Sequence, residues 1–381
     1  MQIYQSKKIG AAMSNIALVT TSRADWGLLV PVLDRLLHSP KHKAKLIVTG
    51  QHLDQSLEIF SNYQIDELIE CSCERRNEEA AACGISASIL ANFGQYLSVN
   101  EIDLVLVLGD RFEMLSVAVA AVINRVPIAH IFGGDTTLGA IDDSVRHAIS
   151  KLASLHFPSN TDSAAKLVEM GELPDRIIVS GSTGIDTLSQ VKLISRDVFF
   201  DSVGLIGTDS VLLVAYHPET LADGQQKGIE ELLSALEKFP DLGLLFTGTN
   251  IDPGHGDIER VVATYVASHA NAVFVDSLGS RLFAAALNHC VAIIGNSSAG
   301  ILEAPYFGTP TINIGNRQAG RRRSASVMDV GADAAMIEHA IRSCLQSKNR
   351  VRDYFFGEGN ASAIIASSLE SFGNFDGLII K

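Results

Sequence analysis

Residues 291–308 read VAIIGNSSAGILEAPYFG: an apolar run, a polar turn, and a second stretch whose apolar residues recur at helical spacing. Val291–Gly295 has the pattern of a short buried strand and Ile301–Phe307 that of a helix. A buried strand feeding directly into a helix is the repeating step of an α/β fold. Ser297 and Ser298 then fall at the helix start, where free backbone N–H groups, the positive end of the dipole and two hydroxyls suit a phosphate. Glu303, about one turn further on, puts a carboxylate where it can take both hydroxyls of a ribose. The same serines also suit a plain N-cap with no ligand, so the rest of the chain has to decide between the two.

The same strand-then-helix grammar recurs on both sides of this stretch. Asn15–Thr21 (NIALVTT) reads as a buried strand, Ser22-Arg23-Ala24-Asp25 as a turn, Trp26–Leu37 as an amphipathic helix and Lys45–Thr49 as the next strand, a βαβ opening. A dinucleotide-binding protein carries GxGxxG at that first turn. An arginine and an aspartate stand there instead, which argues against a nicotinamide or flavin enzyme and puts Arg23 and Asp25 at the carboxyl edge of a parallel sheet. Asp103–Leu108 (DLVLVL) and Pro127–Phe132 (PIAHIF) are further strands. They open into Gly109-Asp110-Arg111-Phe112-Glu113 and into Gly133-Gly134-Asp135 through Asp142-Asp143. Successive strand ends thus deliver Asp110, Asp135, Asp142 and Asp143, with Arg23 and Arg111, to one sheet edge. Clustered carboxylates shift each other's pKa and suit acid–base work. Asp142 and Asp143 also fit a capping role before SVRHAISKLA, and His147 inside that helix reads as a locally bonded residue.

Leu155–Phe157, a helix from Thr161 to Met170 and a strand at Arg176–Val179 complete a first doubly wound half; 189–210 reads as the linker. A second half follows. Strand Val211–Ala215 ends in Tyr216-His217-Pro218-Glu219-Thr220, strand Gly243–Thr247 in Gly248-Thr249-Asn250, and strand Ala272–Val275 in Asp276-Ser277. A helix near 281–288 leads back to the opening stretch. Strand Thr311–Ile314 precedes RQAGRRR at 317–323, a basic run in a chain of formal net charge −13. Such runs are usually a solvated face, but beside a phosphate-compatible turn the better reading is a diphosphate partner. The expected organisation is a loose extension at 1–12, domains at 13–190 and 205–360, and a helix at 361–381 returning to the first domain.

Composition bounds the rest. With 381 residues, 47% hydrophobic and 19% charged, the chain can bury two cores. The acidic balance argues against a nucleic-acid or acidic-membrane surface. No apolar run reaches the ~18 residues of a membrane helix, and the first twelve residues lack the apolar centre of a signal peptide, so Met13 reads as a natural start. Five cysteines, at 71, 73, 83, 290 and 344, form neither a disulfide framework nor a zinc spacing; reduced thiols in a cytoplasm are the expectation.

The blocks TSRADWGLLVPVL, LGDRFEML, AHIFGGDTTLGAIDDSVRHAISKL, HPET and GNSSAGILEAPYFGTPTINIGNRQAGR, in this order, resemble the hydrolysing UDP-N-acetylglucosamine 2-epimerases of sialic- and nonulosonic-acid synthesis over roughly 15–360. The resemblance implies the glycosyltransferase-B architecture: two Rossmann-like domains with the active site in the cleft between them, no metal and no cofactor. It implies a nucleotide-sugar substrate, with Ser297 and Ser298 on the diphosphate, Glu303 on the ribose, and Arg317, Asn250 and His217 adding contacts. Arg23 would reach the phosphates, and Asp110, Arg111 and Asp142 would face the sugar. The implied chemistry is loss of the C2 proton with expulsion of nucleoside diphosphate, then hydration of the glycal with inversion at C2. A homo-oligomer, most simply a dimer, is implied as well.

One departure stands out. Phe132 occupies a position at which a number of family members carry a catalytic glutamate, whereas others carry an acid directly after the two glycines, where this chain has Asp135. Either Asp135 supplies the missing function, or an apolar Phe132 signals a less polar sugar such as a UDP- or GDP-linked 2,4-diacetamido-2,4,6-trideoxyhexose. A glycosyltransferase of the same architecture, a non-hydrolysing epimerase and a nucleotide-sugar sensor are the other readings.

Overall fold

The computed structural model describes residues 13–54, 57–71, 78–137, 141–205, 208–218, 225–248, 255–347 and 350–378. The chain divides into two compact units. The first holds the residues up to Asp135, then Asp142–Thr183 and those from Asn360 onward; the second holds Gly184–Gly359, with Thr136–Ile141 counted to it.

The first unit is built on six strands, β1 (Ser14–Thr20), β2 (His42–Val48), β3 (Glu67–Leu68), β4 (Leu104–Leu108), β5 (Ile128–Ile131) and β6 (Leu155–Phe157). They lie in the order β3-β2-β1-β4-β5-β6, every pair parallel. Alternate residues of β1 feed opposite faces. Ile16 and Leu18 join one apolar cluster, with Trp26, Leu29 and Leu33 of the first helix, and Ala17 and Val19 join the other, with Phe93 and Val117. Coverage on both faces is why these strands read as unbroken apolar runs rather than as alternation. The C-terminal helix Ala361–Phe372 belongs to the first of these clusters through Ile365, Ala366 and Leu369.

The second unit repeats the plan with β7 (Val211–Ala215), β8 (Gly243–Thr247), β9 (Ala272–Val275), β10 (Ala292–Gly295), β11 (Thr311–Ile314) and β12 (Val327–Val330). The order is β12-β11-β10-β7-β8-β9, again all parallel. Each unit is therefore a Rossmann-like doubly wound sheet, as expected from the sequence, and the two share one strand order. In each, the winding reverses beside a central pair, β1 with β4 and β7 with β10, and open α/β sheets bind ligands at that reversal, outside the carboxyl ends of the strands.

Three local readings are corrected. The strand expected at Arg176–Val179 is a 3₁₀ turn, Pro174–Arg176, followed by a single bridge between His156 and Ile177. The helix expected over Ile301–Phe307 is two one-turn pieces, Ala299–Leu302 and Ala304–Phe307, broken at Glu303. Pro305 causes the break, since it has no N–H to donate back and restricts the residue before it. The stretch read as linker holds a helix, Arg196–Ser202, whose Phe199 and Phe200 enter the second unit's core. Among the described residues no helix is long and apolar enough to cross a membrane.

Gly295, the last residue of β10, sits at φ +135, and a Cβ there would lie 2.0 Å from the Ala215 carbonyl oxygen of β7. Gly295→Ala should therefore cost about 3 kcal/mol or more in denaturant unfolding. An unchanged midpoint would contradict this reading of the β7–β10 edge.

Candidate functional site

At the reversal in the first unit, β1 runs into the turn Thr21–Asp25 and the helix Arg23–Leu37. Ser22 and Asp25 form a reciprocal capping box. The Asp25 carboxylate is buried and accepts from the Thr21 N–H (2.9 Å), the Thr21 hydroxyl (2.7 Å), the Ser22 N–H (3.1 Å) and the Thr20 hydroxyl. Its acceptor sites are spent on its own turn, so Asp25 is an anchor of that turn. Arg23, on the same turn, is exposed and makes no ion pair among the described residues.

After β4 comes Gly109 (φ +82), then Asp110 and Arg111. Arg111 donates through Nε and Nη2 to both oxygens of Glu113, each at 3.2 Å, and Glu113 is only 1% exposed. Burial opposes the Arg111 charge, yet Glu113, Asp25 and Asp110 leave the guanidinium more firmly protonated than usual. Asp110 accepts from Nη2 of Arg146.

Arg146 is the residue that the sequence reading passed over. It lies in the helix Ile141–Leu152, is 2% exposed, and binds three groups: the Asp110 carboxylate, the Asp135 carbonyl oxygen through Nη1 (2.8 Å) and Asp143 (3.6 Å). Against the penalty of burial, Asp110, Asp135 and Asp143 hold it charged. Its signal was in the sequence, because Arg146 stands on the face of that helix that also carries Ile149 and Ser150, both buried. A charged residue at a core position demands paired anions.

The Asp135 carboxylate accepts from the hydroxyls of Ser159 (3.1 Å) and Ser163 through one oxygen. The two glycines before it are required. A Cβ on Gly134 (φ +81) would lie 2.2 Å from the Ser163 carbonyl oxygen, and one on Gly133 would lie 2.8 Å from the Ser150 hydroxyl. Phe132 holds φ +67, an unusual conformation for a bulky residue, and its ring packs on the core cluster that holds Trp26 and Phe157. Asp142 is exposed in the first turn of its helix, and His147 lies 3.4 Å from Asp143. The first unit thus gathers Asp110, Arg111, Asp135 and Arg146, with the turn of Arg23 and Asp25 at the neighbouring strand end.

At the reversal in the second unit, Asn296 is fully buried and bonds His217 in both directions. It accepts from the His217 N–H (2.7 Å) and donates to the His217 carbonyl (2.8 Å), tying the ends of β10 and β7 together. Its own carbonyl accepts from Arg317 Nη1 (3.3 Å) and Gln318 Nε2 (2.9 Å), which brings in the basic loop. Burial, with Arg317 adding to it, pushes the His217 imidazole down to about 4; at neutral pH it is an uncharged hydrogen-bonding group rather than a cation. Ser297 and Ser298 are half-buried, and their N–H groups meet no acceptor among the described residues.

The basic run divides. Arg323 is held by both Asp329 oxygens at 3.0 Å, and Arg322 lies 3.9 Å over the Phe355 ring. Arg317 and Arg321 are the pair on the site side, next to His217 and Glu303 respectively. Oε2 of Glu303 is buried and has no hydrogen-bond partner among the described residues. Burial pushes its carboxyl up to about 7, with Arg321 pulling the other way. A buried acceptor left unmade is costly, and a ligand with hydroxyl donors would satisfy it. Asn250 lies outside the described residues. Among those residues no group of three or more His, Cys, Asp or Glu is placed to hold a metal. Cys83, Cys290 and Cys344 are free thiols, and the Cys71 thiol donates to the Gly50 carbonyl at 3.6 Å; Cys73 is outside the described residues.

Glu303 supplies a pH test. In the unfolded chain a glutamate titrates near ~4.3, so between there and about 7 the folded protein keeps a proton that the unfolded chain has lost. Stability must then fall as pH rises through that window. Wild type should lose stability relative to Glu303→Gln between about pH 4.5 and 7 in thermal melts, and parallel curves for the two would contradict it.

Residues 34–370 match the profile of the UDP-N-acetylglucosamine 2-epimerase family. Polysialic acid biosynthesis protein P7 of Escherichia coli is 33% identical over 337 residues, 86% of this chain and 85% of that protein. The GDP/UDP-N,N'-diacetylbacillosamine 2-epimerase (hydrolyzing) of Campylobacter jejuni is 32% identical over 321 residues, 82% of this chain and 83% of that enzyme. In structure, the UDP-GlcNAc 2-epimerase of Neisseria meningitidis bound to UDP-GlcNAc superposes with a TM-score of 0.79 at 20% identity, covering 94% of this chain and 100% of that one. The two doubly wound units and the profile match agree: the chain belongs to the UDP-N-acetylglucosamine 2-epimerase family.

Proposed function

We propose that the protein is a hydrolysing 2-epimerase that converts UDP-N-acetylglucosamine and water to N-acetylmannosamine and UDP. A base removes the C2 proton, the C–H electron pair becomes the C1–C2 double bond, and the C1–O bond breaks with its electrons leaving on UDP. Water then adds to the glycal, oxygen to C1 and a proton to C2 from the opposite face. The reading rests above all on Asp110, a carboxylate fixed by a buried guanidinium at the reversal of the first sheet, as an acid–base group beside a sugar must be. The names of two relatives at 32% identity, both hydrolysing 2-epimerases, support the hydrolytic outcome.

In this reading Asp110, Asp135 and Asp142 supply the base and the acid, and Arg111 contacts the sugar. Ser297, Ser298, Arg317 and Arg23 take the departing diphosphate, Glu303 takes the ribose hydroxyls, and Asn250 adds a nucleotide contact. His217, uncharged at neutral pH, is suited to donating to or accepting from the leaving group and not to neutralising its charge. Asp25 acts by fixing the turn of Arg23. A second reading, the same reaction on a UDP- or GDP-linked 2,4-diacetamido-2,4,6-trideoxyglucose, is favoured by the name of the Campylobacter jejuni relative.

Asp110→Asn should lower kcat about 10³-fold with UDP affinity within twofold of wild type; turnover at the wild-type rate would refute the role. Asp135→Asn with wild-type turnover would remove Asp135 from the acid–base set. Comparing kcat/KM for UDP-N-acetylglucosamine and the UDP-diacetamido sugar decides between the two substrates.

A further inference from the structure

One buried titratable group stands beside the site without a part in the chemistry above. His52 lies in the 3₁₀ turn Gly50–Asp54 that follows β2 and is 1% exposed. Its Nε2 lies 2.9 Å from the Thr20 hydroxyl at the end of β1, and its Nδ1 has no hydrogen-bond partner among the described residues. The Thr20 hydroxyl has one proton, and that proton goes to Oδ1 of Asp25, because a carboxylate can only accept. Thr20 must therefore accept from His52. This fixes the imidazole as the Nε2–H tautomer and gives a directed chain: His52 Nε2–H to Thr20 O–H to the Asp25 carboxylate.

The surroundings hold that chain rigid. The Gln51 N–H donates to the Thr21 carbonyl at 2.8 Å, and the Thr49 N–H to the Thr20 carbonyl at 3.1 Å. Gly50 (φ +65) lets the turn close, since a Cβ there would lie 2.7 Å from the Thr21 carbonyl oxygen. The imidazole meets Phe60 edge-on at 4.9 Å, and Phe60 meets Trp26 at 4.6 Å. Among the described residues the one hydrogen bond of the His52 side chain is thus with Thr20, its Nε2 standing 3.9 Å from Oδ1 of Asp25 itself, and the far end of the chain is the carboxylate whose other acceptor sites shape the turn bearing Arg23.

We infer that His52 is a positioning residue that acts through Thr20 and Asp25 on Arg23, and so sets affinity for the diphosphate of the nucleotide. The inference rests on the reading above in which Arg23 meets phosphate. Without the Nε2–H donor, Thr20 loses the group that orients its hydroxyl, the buried Asp25 carboxylate loses a fixed donor, and the turn carrying Arg23 can relax.

The test exploits which nitrogen is used. Glutamine places its amide nitrogen where Nε2 stands, asparagine where Nδ1 stands, and phenylalanine keeps the ring contact with Phe60 and removes both donors. UDP affinity is measured by calorimetry on the full chain for wild type, His52→Gln, His52→Asn, His52→Phe, Arg23→Ala and the double variant Arg23→Ala with His52→Phe. The expected result is about tenfold weaker binding for His52→Phe and His52→Asn, His52→Gln within threefold of wild type, and no added loss from His52→Phe once Arg23 is gone. Unchanged affinity in His52→Phe, equal loss in all three single His52 variants, or a full His52→Phe penalty in the Arg23→Ala background would each overturn it. Wild type that binds no UDP would instead overturn the functional reading, and the inference with it.

Discussion

In a doubly wound parallel sheet the crossover helices on either side of the reversal leave in opposite directions, so no helix covers the carboxyl ends of the central strand pair. Those ends still carry backbone groups, and each that is buried without a partner costs about 1–3 kcal/mol. Both units meet that constraint with a single polar side chain. In the second, Asn296 bonds the His217 backbone in both directions and joins the ends of β7 and β10. In the first, Asp25 gathers the N–H groups and hydroxyls of the turn after β1. Arg111 stands beside the first fixture, within the reach of the Asp25 charge, and Arg317 and Gln318 bond the second.

Charge follows the same logic. Arg146 is almost wholly buried and must be met by anions, and it is met by a carboxylate from the end of β4 and a carbonyl from the loop after β5. Two loops of the first unit are thereby held by one guanidinium. In the second unit the basic run is spent unevenly: Arg322 covers the Phe355 ring and Arg323 holds Asp329 and its own loop, while Arg317 and Arg321 sit next to His217 and Glu303. A count of arginines would overstate the positive charge that this run offers a ligand.

Much of the architecture is legible in the residues, and its limits have physical causes. β7, β8 and β11 have the bounds that their apolar runs announce, because a strand buried on both faces must be apolar throughout, and β9, an edge strand with Phe274 exposed, has its expected bounds as well. β3 and β12 carry no such run, being made of exposed or half-exposed residues, and the sequence does not announce them. Pro305 could have warned that the helix after Ser298 breaks. At the site, the residues at strand ends were visible because parallel strands deliver their carboxyl ends to one edge. The partners of Arg146 and His52 were not, for Asp110 and Thr20 stand 36 and 32 residues away in sequence. Only the register of β1 with β2 and β4, and the docking of the helix Ile141–Leu152, bring those pairs together.

The central claim is that the C2 proton of an N-acetylhexosamine is removed and replaced while UDP departs. Proton NMR of the full chain with UDP-N-acetylglucosamine in D2O, followed from the first turnovers, reads this directly. The expected product is free N-acetylmannosamine carrying deuterium at C2, appearing in step with UDP. UDP released alongside N-acetylglucosamine that keeps its C2 proton would mean simple hydrolysis and would contradict the account.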